Sequence, residues 1–169
     1  MEKRFLIDVN LIRDMLSVCS LKALLSMECG FCTTDGVLRE LKKIVAPEIF
    51  DRIRNFNKLN IVGMDESSTD EVLSFYDSVS NKLTYAEAEF IFYAKENDCV
   101  ILSSDRNFLN IAKQHVSKVY NLLQVFEGMV RKSILDYSQA AECLEDIMGT
   151  NHCLPKEECE NVLRKWKGK

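Results

Sequence analysis

A chain of 169 residues with 47% hydrophobic and 28% charged residues has the makeup of one ordinary globular domain, not of a disordered or fibrous protein. Its net charge of −4 does not advertise nucleic-acid binding, and none of its apolar runs is long enough to span a membrane. The run Met1 to Asp8 breaks too early for a signal peptide, and seven irregularly spaced cysteines suit free thiols in a reducing compartment, so a soluble cytoplasmic protein is expected.

Taken in chain order, Phe5-Leu6-Ile7 lies in a buried strand over about 5–9. Leu11 onward reads as one amphipathic helix to about 27, with Gly30 as its C-cap. Residues 31–33 form a short strand, and Thr33 or Thr34 caps a helix to Val45 whose apolar face holds Val37, Leu38, Leu41 and Ile44. Pro47 opens a helix to Phe56, and Leu59–Val62 is a strand. Two capping boxes follow: Ser68-Thr69-Asp70-Glu71 for a helix to Ser80, and Thr84-Tyr85-Ala86-Glu87 for a helix to Asn97. Strand 99–102, helix 106–115, strand 116–120 and helix 122–132 complete the alternation. The remainder is helical, 138–148 closed by Gly149 and then Pro155 to Trp166. Alternating strands and helices imply an α/β/α sandwich on a parallel sheet over residues 1–132, with a two-helix extension over 133–169.

Asp8 ends the first apolar run, and Asp105 ends Cys99-Val100-Ile101-Leu102-Ser103-Ser104-Asp105. In a parallel sheet both would sit at the carboxyl edge, where ligands bind. Glu40 and Glu87 lie on helices that can start from the same edge. Crowded carboxylates repel one another, and a cation relieves that repulsion. Each acid also has an ordinary structural role available: Asp8 and Asp105 as helix caps, Glu40 as an i,i+3 partner of Lys43, and Glu87 as the third residue of its capping box. Charge is uneven along the chain. Residues 61–110 hold ten acids against three basic residues, whereas residues 1–60 hold ten basic residues against eight acids. Arg39, Lys42, Lys43, Arg52, Arg54 and Lys58 could flank a phosphate backbone, although a solvated helix surface is the plainer reading.

Four stretches resemble, in order and spacing, the motifs of the PIN-domain nucleases. They are Phe5-Leu6-Ile7-Asp8-Val9-Asn10, Thr34-Asp35-Gly36-Val37-Leu38-Arg39-Glu40-Leu41, Thr84-Tyr85-Ala86-Glu87-Ala88-Glu89, and Ile101-Leu102-Ser103-Ser104-Asp105-Arg106. The resemblance covers about residues 4–130. The C-terminal helices are similar to those of a VapC-like toxin subgroup with a helical tail. The resemblance implies RNA phosphodiester hydrolysis with Mg²⁺ or Mn²⁺, leaving 5′-phosphate and 3′-hydroxyl ends. It implies Asp8 and Asp105 as direct metal ligands, and Glu40 and Glu87 as ligands directly or through water. Asn10, Ser103, Glu89 and Arg106 are accessory, with Ser103 orienting Asp105 or a bound water and Arg106 contacting phosphate. Many members carry a further acid where this chain has Asn107, so the number of metals stays open, with Glu89 or Asp35 as substitutes.

The resemblance further implies an RNA substrate, a small antitoxin partner and a possible homodimer. The apolar face of the C-terminal helices, Leu144, Ile147, Met148, Val162, Leu163 and Trp166, either covers the domain core or forms part of a partner groove. An inactive PIN-like module that binds RNA or protein is the first alternative. A phosphatase or receiver domain is the second, disfavoured because Asp8 lacks an acidic neighbour. Cys29-Gly30-Phe31-Cys32 has CxxC spacing, but it ends a helix and enters a strand, the wrong polarity for a redox site, and zinc would need remote ligands such as His152 and Cys153. It is read as structural.

Overall fold

The computed structural model describes residues 4–169; the first three residues of the run read against a signal peptide, Met1 to Lys3, lie outside the described residues. Five strands, β1 (Arg4–Ile7), β2 (Gly30–Thr34), β3 (Leu59–Val62), β4 (Val100–Leu102) and β5 (Val119–Tyr120), pair in the order β3-β2-β1-β4-β5. Every pairing is parallel, with Leu6 opposite Cys32 and Ile101, and Ile7 opposite Leu102. Parallel strands are joined by helical crossovers that cover both faces of the sheet, so their sequences read as unbroken apolar runs. Leu6, Ile7, Val100 and Ile101 are accordingly no more than 1% exposed. The strand order reverses between β1 and β4. The chain leaves those two strands in opposite directions, which opens a crevice at their carboxyl ends.

Ten α-helices flank the sheet among the described residues: α1 (Val9–Ser17), α2 (Leu21–Leu25), α3 (Asp35–Ile44), α4 (Pro47–Arg54), α5 (Thr69–Val79), α6 (Tyr85–Glu96), α7 (Arg106–Ala112), α8 (Leu122–Arg131), α9 (Tyr137–Thr150) and α10 (Lys156–Lys167). The α/β/α sandwich expected from the alternation is the observed fold. On one sheet face Phe5, Phe31, Leu102 and Tyr120 lie beneath α2 and α8. Helix α3 packs against α1, α4 and α6, and α5 against α6.

The predicted helix over 11–27 is two helices. Cys19 adopts a left-handed φ of 55°, with its amide on the Leu16 carbonyl at 3.0 Å and the Ser20 amide on the Met15 carbonyl at 2.8 Å. This is a Schellman closure. Asp98 (φ 47°) closes α6 in the same way, with the Cys99 amide on the Ala94 carbonyl. Ser133 (φ 57°) likewise closes α8, with the Ile134 amide on the Met129 carbonyl. Gly30 is not a cap but the first residue of β2, and no glycine among the described residues has positive φ. The predicted box at Ser68 does not form. A 3₁₀ turn over Glu66–Ser68 leaves Ser68 at ψ 1° instead of the extended value an N-cap needs, and the Thr69 hydroxyl donates to the Glu66 carbonyl at 2.8 Å. Gly149 lies inside α9, which runs to Thr150, and the last strand is only Val119–Tyr120.

The C-terminal helices share the domain core. Leu144, Ile147, Leu163 and Trp166 are buried, and Met148 and Val162 pack half-buried against them. The Trp166 indole donates to Glu127 Oε1 at 2.7 Å, and its ring meets Phe126 edge-on at 6.3 Å. This apolar face is thus packed mainly against the core. At the other end Asn151 Nδ2 donates to the buried Asp14 carboxylate at 2.7 Å, while Asn151 Oδ1 accepts from the Cys153 amide at 3.0 Å. Asn151→Ala removes the donor but leaves the carboxylate buried. It should lower the unfolding free energy by about 1.5–3 kcal/mol, the range for hydrogen bonds to charged groups. Urea titration reads this directly, and an unshifted midpoint would contradict it.

Candidate metal centre

Asp8 follows β1 directly, and its amide extends the ladder to the Leu102 carbonyl at 3.1 Å. Its side chain caps α1: Oδ1 accepts from the Leu11 amide at 2.8 Å. Oδ2 accepts from the Ser103 hydroxyl at 2.6 Å and from Asn10 Nδ2 at 3.3 Å. The same Ser103 hydroxyl accepts from the Asp105 amide at 3.0 Å. Ser103 therefore meets Asp105 through its backbone amide, and it also holds the carboxylate of Asp8. Asp105 Oδ1 caps α7 by accepting from the Phe108 amide at 3.0 Å.

Thr34 caps α3 at the end of β2, which sets Glu40 in the second turn of that helix. Glu87 sits in the first turn of α6 and closes the predicted box, accepting from the Thr84 amide at 2.7 Å and the Thr84 hydroxyl at 2.9 Å. Helix α3 approaches α6 closely at Gly36. A Cβ there would lie 3.1 Å from Glu89 Oε2 and 3.4 Å from the Ala86 side chain. A glycine inside a predicted helix is a signal for such an approach, and it was the readable clue to this contact.

Asp8, Asn10, Glu40 and Glu87 line one small cleft of about 20 Å³, walled by Val37, Phe90 and Phe108. Asp105 does not line it, but its charge is felt at Asp8. Burial pushes the Asp8 carboxyl up to about 7, against the hydrogen bonds from Ser103, Leu11 and Asn10, and the charge of Asp105 adds to the rise. Glu40 is also raised, first by burial and then by Glu87, with Lys43 opposing.

The other sequence candidates stand apart. Glu89 occupies the seam between α3 and α6. Burial raises it against the opposing charge of Arg39, whose guanidinium is 3.9 Å away, and its Oε2 is buried without a hydrogen-bond partner. Asp35 is exposed near Gly63 and Glu89, not in the cleft. Arg106 is exposed and lines a different cleft with Ser104, Pro155 and Glu158. All seven cysteines are thiols, and Cys32 is buried in β2 with Sγ on the Phe5 carbonyl at 3.5 Å.

Carboxylate oxygens are the donors that hard divalent cations take, so this acid set fits such a cation in kind. Among the described residues, no three His, Cys, Asp or Glu side chains stand at metal-holding spacing. Asp8 and Glu87 are instead engaged with their caps.

The family model of the PIN domain matches residues 5–168, taking in both C-terminal helices. The chain belongs to the PIN-domain family. PIN domains are generally nucleases that use divalent metals, which gives this PIN domain a nuclease-type function at that level of description. Its fold is similar to the crystal structure of PAE2754 from Pyrobaculum aerophilum, with a TM-score of 0.54 and 12% identity over 80% of this chain and 98% of that one. No curated protein matches the chain. No helix among the described residues is long and apolar enough to cross a membrane.

The raised Asp8 has a consequence for stability. Its folded pKa lies above the unfolded value, so the folded state holds an extra proton between about pH 4 and pH 7. The contribution of Asp8 to the stability of metal-free protein is therefore lost as pH rises through that window. Asp8→Asn should flatten that slope and raise the thermal midpoint at about pH 8 in chelator, with little change at about pH 5. Parallel pH profiles for the two proteins would contradict this.

Proposed function

We propose that this PIN domain is a Mg²⁺- or Mn²⁺-dependent endoribonuclease, the toxin of a toxin–antitoxin pair. The observation that carries the reading is the convergence of Asp8, Glu40 and Glu87 from three separate elements on one cleft at the carboxyl edge of the sheet, with Asp105 close enough to act on Asp8. Asp8 and Asp105 are the residues to hold a cation directly, with Glu40 and Glu87 completing the set. When bound, such a cation supplies Lewis-acid stabilisation of the charge that builds on a phosphate. Ser103 acts as a positioning residue, because its hydroxyl fixes which Asp8 oxygen faces its own strand and which faces α1.

The toxin reading has further support away from the acids. An apolar cleft between α1, α2 and α4, lined by Leu16, Leu21, Leu25, Ile53 and Phe56, has Ile49 42% exposed on its rim. It offers a place for an amphipathic antitoxin helix.

One observation favours the alternative of an inactive binding module. Asp8, Glu87 and Asp105 each have a complete local role as a helix cap, and the acids do not stand at ligating spacing. Cleavage of labelled RNA in Mn²⁺ separates the two readings. Ser103→Ala should reduce the rate by about 10–100-fold, the scale for losing a group that orients a ligand, and Asp8→Asn should reduce it further. Wild-type protein expressed alone should arrest growth, and Asp8→Asn or co-expression of the coding neighbour should relieve the arrest. Metal-independent cleavage, or cleavage untouched by Asp8→Asn, would contradict the nuclease assignment. Vigorous growth with abundant wild-type protein would count against the toxin role alone.

A further inference from the structure

Helix α2, only five residues long, and α8 leave an open cavity of about 350 Å³ over the sheet face they share. Its floor is Phe5, Phe31, Leu102 and Tyr120, with Leu24 and Met27 as a wall on the α2 side. The volume falls toward the lower end of small-molecule sites, which span roughly 300–1,000 Å³. The cavity shares no lining residue with the acid cleft.

Helix α8 turns two different sides to the sheet. Leu122, Val125, Phe126 and Met129 are buried in the core. Gln124, Gly128, Arg131 and Lys132, three and four residues apart along one stripe, line the cavity instead. A helix side above an apolar floor ordinarily carries apolar side chains. Here the middle residue of the stripe is a glycine, and a Cβ added to it meets nothing within 4 Å. The sequence thus keeps this space open at a cost in helix propensity relative to alanine.

Arg131 and Lys132 are exposed and make no ion pair with any described residue. Glu127 also lines the cavity, but its Oε1 accepts from the Trp166 indole. The carbonyls of Gly128, Met129 and Val130 end α8 and would repel an anion. They already accept the amides of Lys132, Ile134 and Ser133. An aromatic floor with two cations against one carboxylate at its edge suits an amphipathic anion. Apolar contact supplies the affinity, and the cations set the orientation. A neutral apolar molecule would leave the cations unused, and a phosphodiester strand would leave the floor unused. We propose that this cavity binds a medium-chain fatty acid, with its alkyl chain over Phe5 and Phe31 and its carboxylate on Arg131 and Lys132. The site is independent of whatever chemistry the acids perform.

Isothermal titration calorimetry of the full chain with sodium decanoate below its micelle concentration tests it, with octanoate and decanol as comparisons. The wild type should bind one decanoate per chain. Octanoate should bind about 5–10-fold more weakly, the scale for two buried methylenes. Arg131→Gln/Lys132→Gln should weaken decanoate about 5-fold and leave decanol unchanged. Gly128→Leu, which fills the open space and favours the helix, should abolish binding of both while its thermal midpoint stays at or above that of the wild type. A further readout needs no variant. Cys29 lines the cavity, so saturating decanoate should slow its alkylation about 5-fold or more, while the exposed Cys19 and Cys153 react as before. Peptide mass spectrometry resolves the three thiols.

No decanoate binding, many weak sites per chain, or decanoate held as tightly by Gly128→Leu as by the wild type would overturn the proposal. Equal weakening of decanoate and decanol in Arg131→Gln/Lys132→Gln would also overturn it, because the cations would then shape the cavity without holding a carboxylate. Cys29 alkylation untouched by decanoate would do the same. A dimer that Gly128→Leu dissociates would put a second copy of the chain in the cavity, and that too would overturn it.

Discussion

The Ser103 hydroxyl bonds the buried carboxylate of Asp8 across the junction of β1 and β4, at 2.6 Å, and also accepts the Asp105 amide. Much of the site depends on this one contact. A carboxylate only 5% exposed at the end of a central strand is costly unless it is hydrogen-bonded, and here a hydroxyl and a helix N-terminal amide serve it together. The contact falls where the strand order reverses, so the chains leaving β1 and β4 diverge around it. The starts of α1 and α7, and the crevice between them, are set by the same few atoms.

The remaining acids come to that crevice by a different constraint, the close approach of α3 to α6 at Gly36. That approach puts Glu40 and Glu87 on one cleft and makes them repel, while the basic wall of α3 faces the opening beside them. Crowded carboxylates raise one another's pKa, and a cation held among them would relieve that repulsion.

The sandwich and the elements that carry Asp8, Glu40, Glu87 and Asp105 were legible because strong local signals coincide with the tertiary outcome. Apolar runs became central strands, and Thr34 and Thr84 began the helices that carry Glu40 and Glu87. The break after α1 was hidden because its left-handed residue is Cys19, where a glycine is the usual marker; Asp98 and Ser133 hide two other helix ends in the same way. Gly30 misled in the opposite direction, as a glycine that opens a strand. At Ser68 a 3₁₀ turn overrode a favourable capping pattern, because the pattern says nothing of the backbone before it. The partner of Ser103 and the seat of Glu89 between α3 and α6 depend on which side chains meet across elements, and no single stretch of sequence encodes that.

Whether the acids at the carboxyl edge form one cation site can be read from anomalous diffraction of crystals soaked in Mn²⁺. A peak is expected within ligand distance of Asp8 and at least one of Glu40, Glu87 and Asp105, with Asp8→Asn abolishing it. A strong Mn²⁺ peak elsewhere on the protein, with none at Asp8, would contradict it.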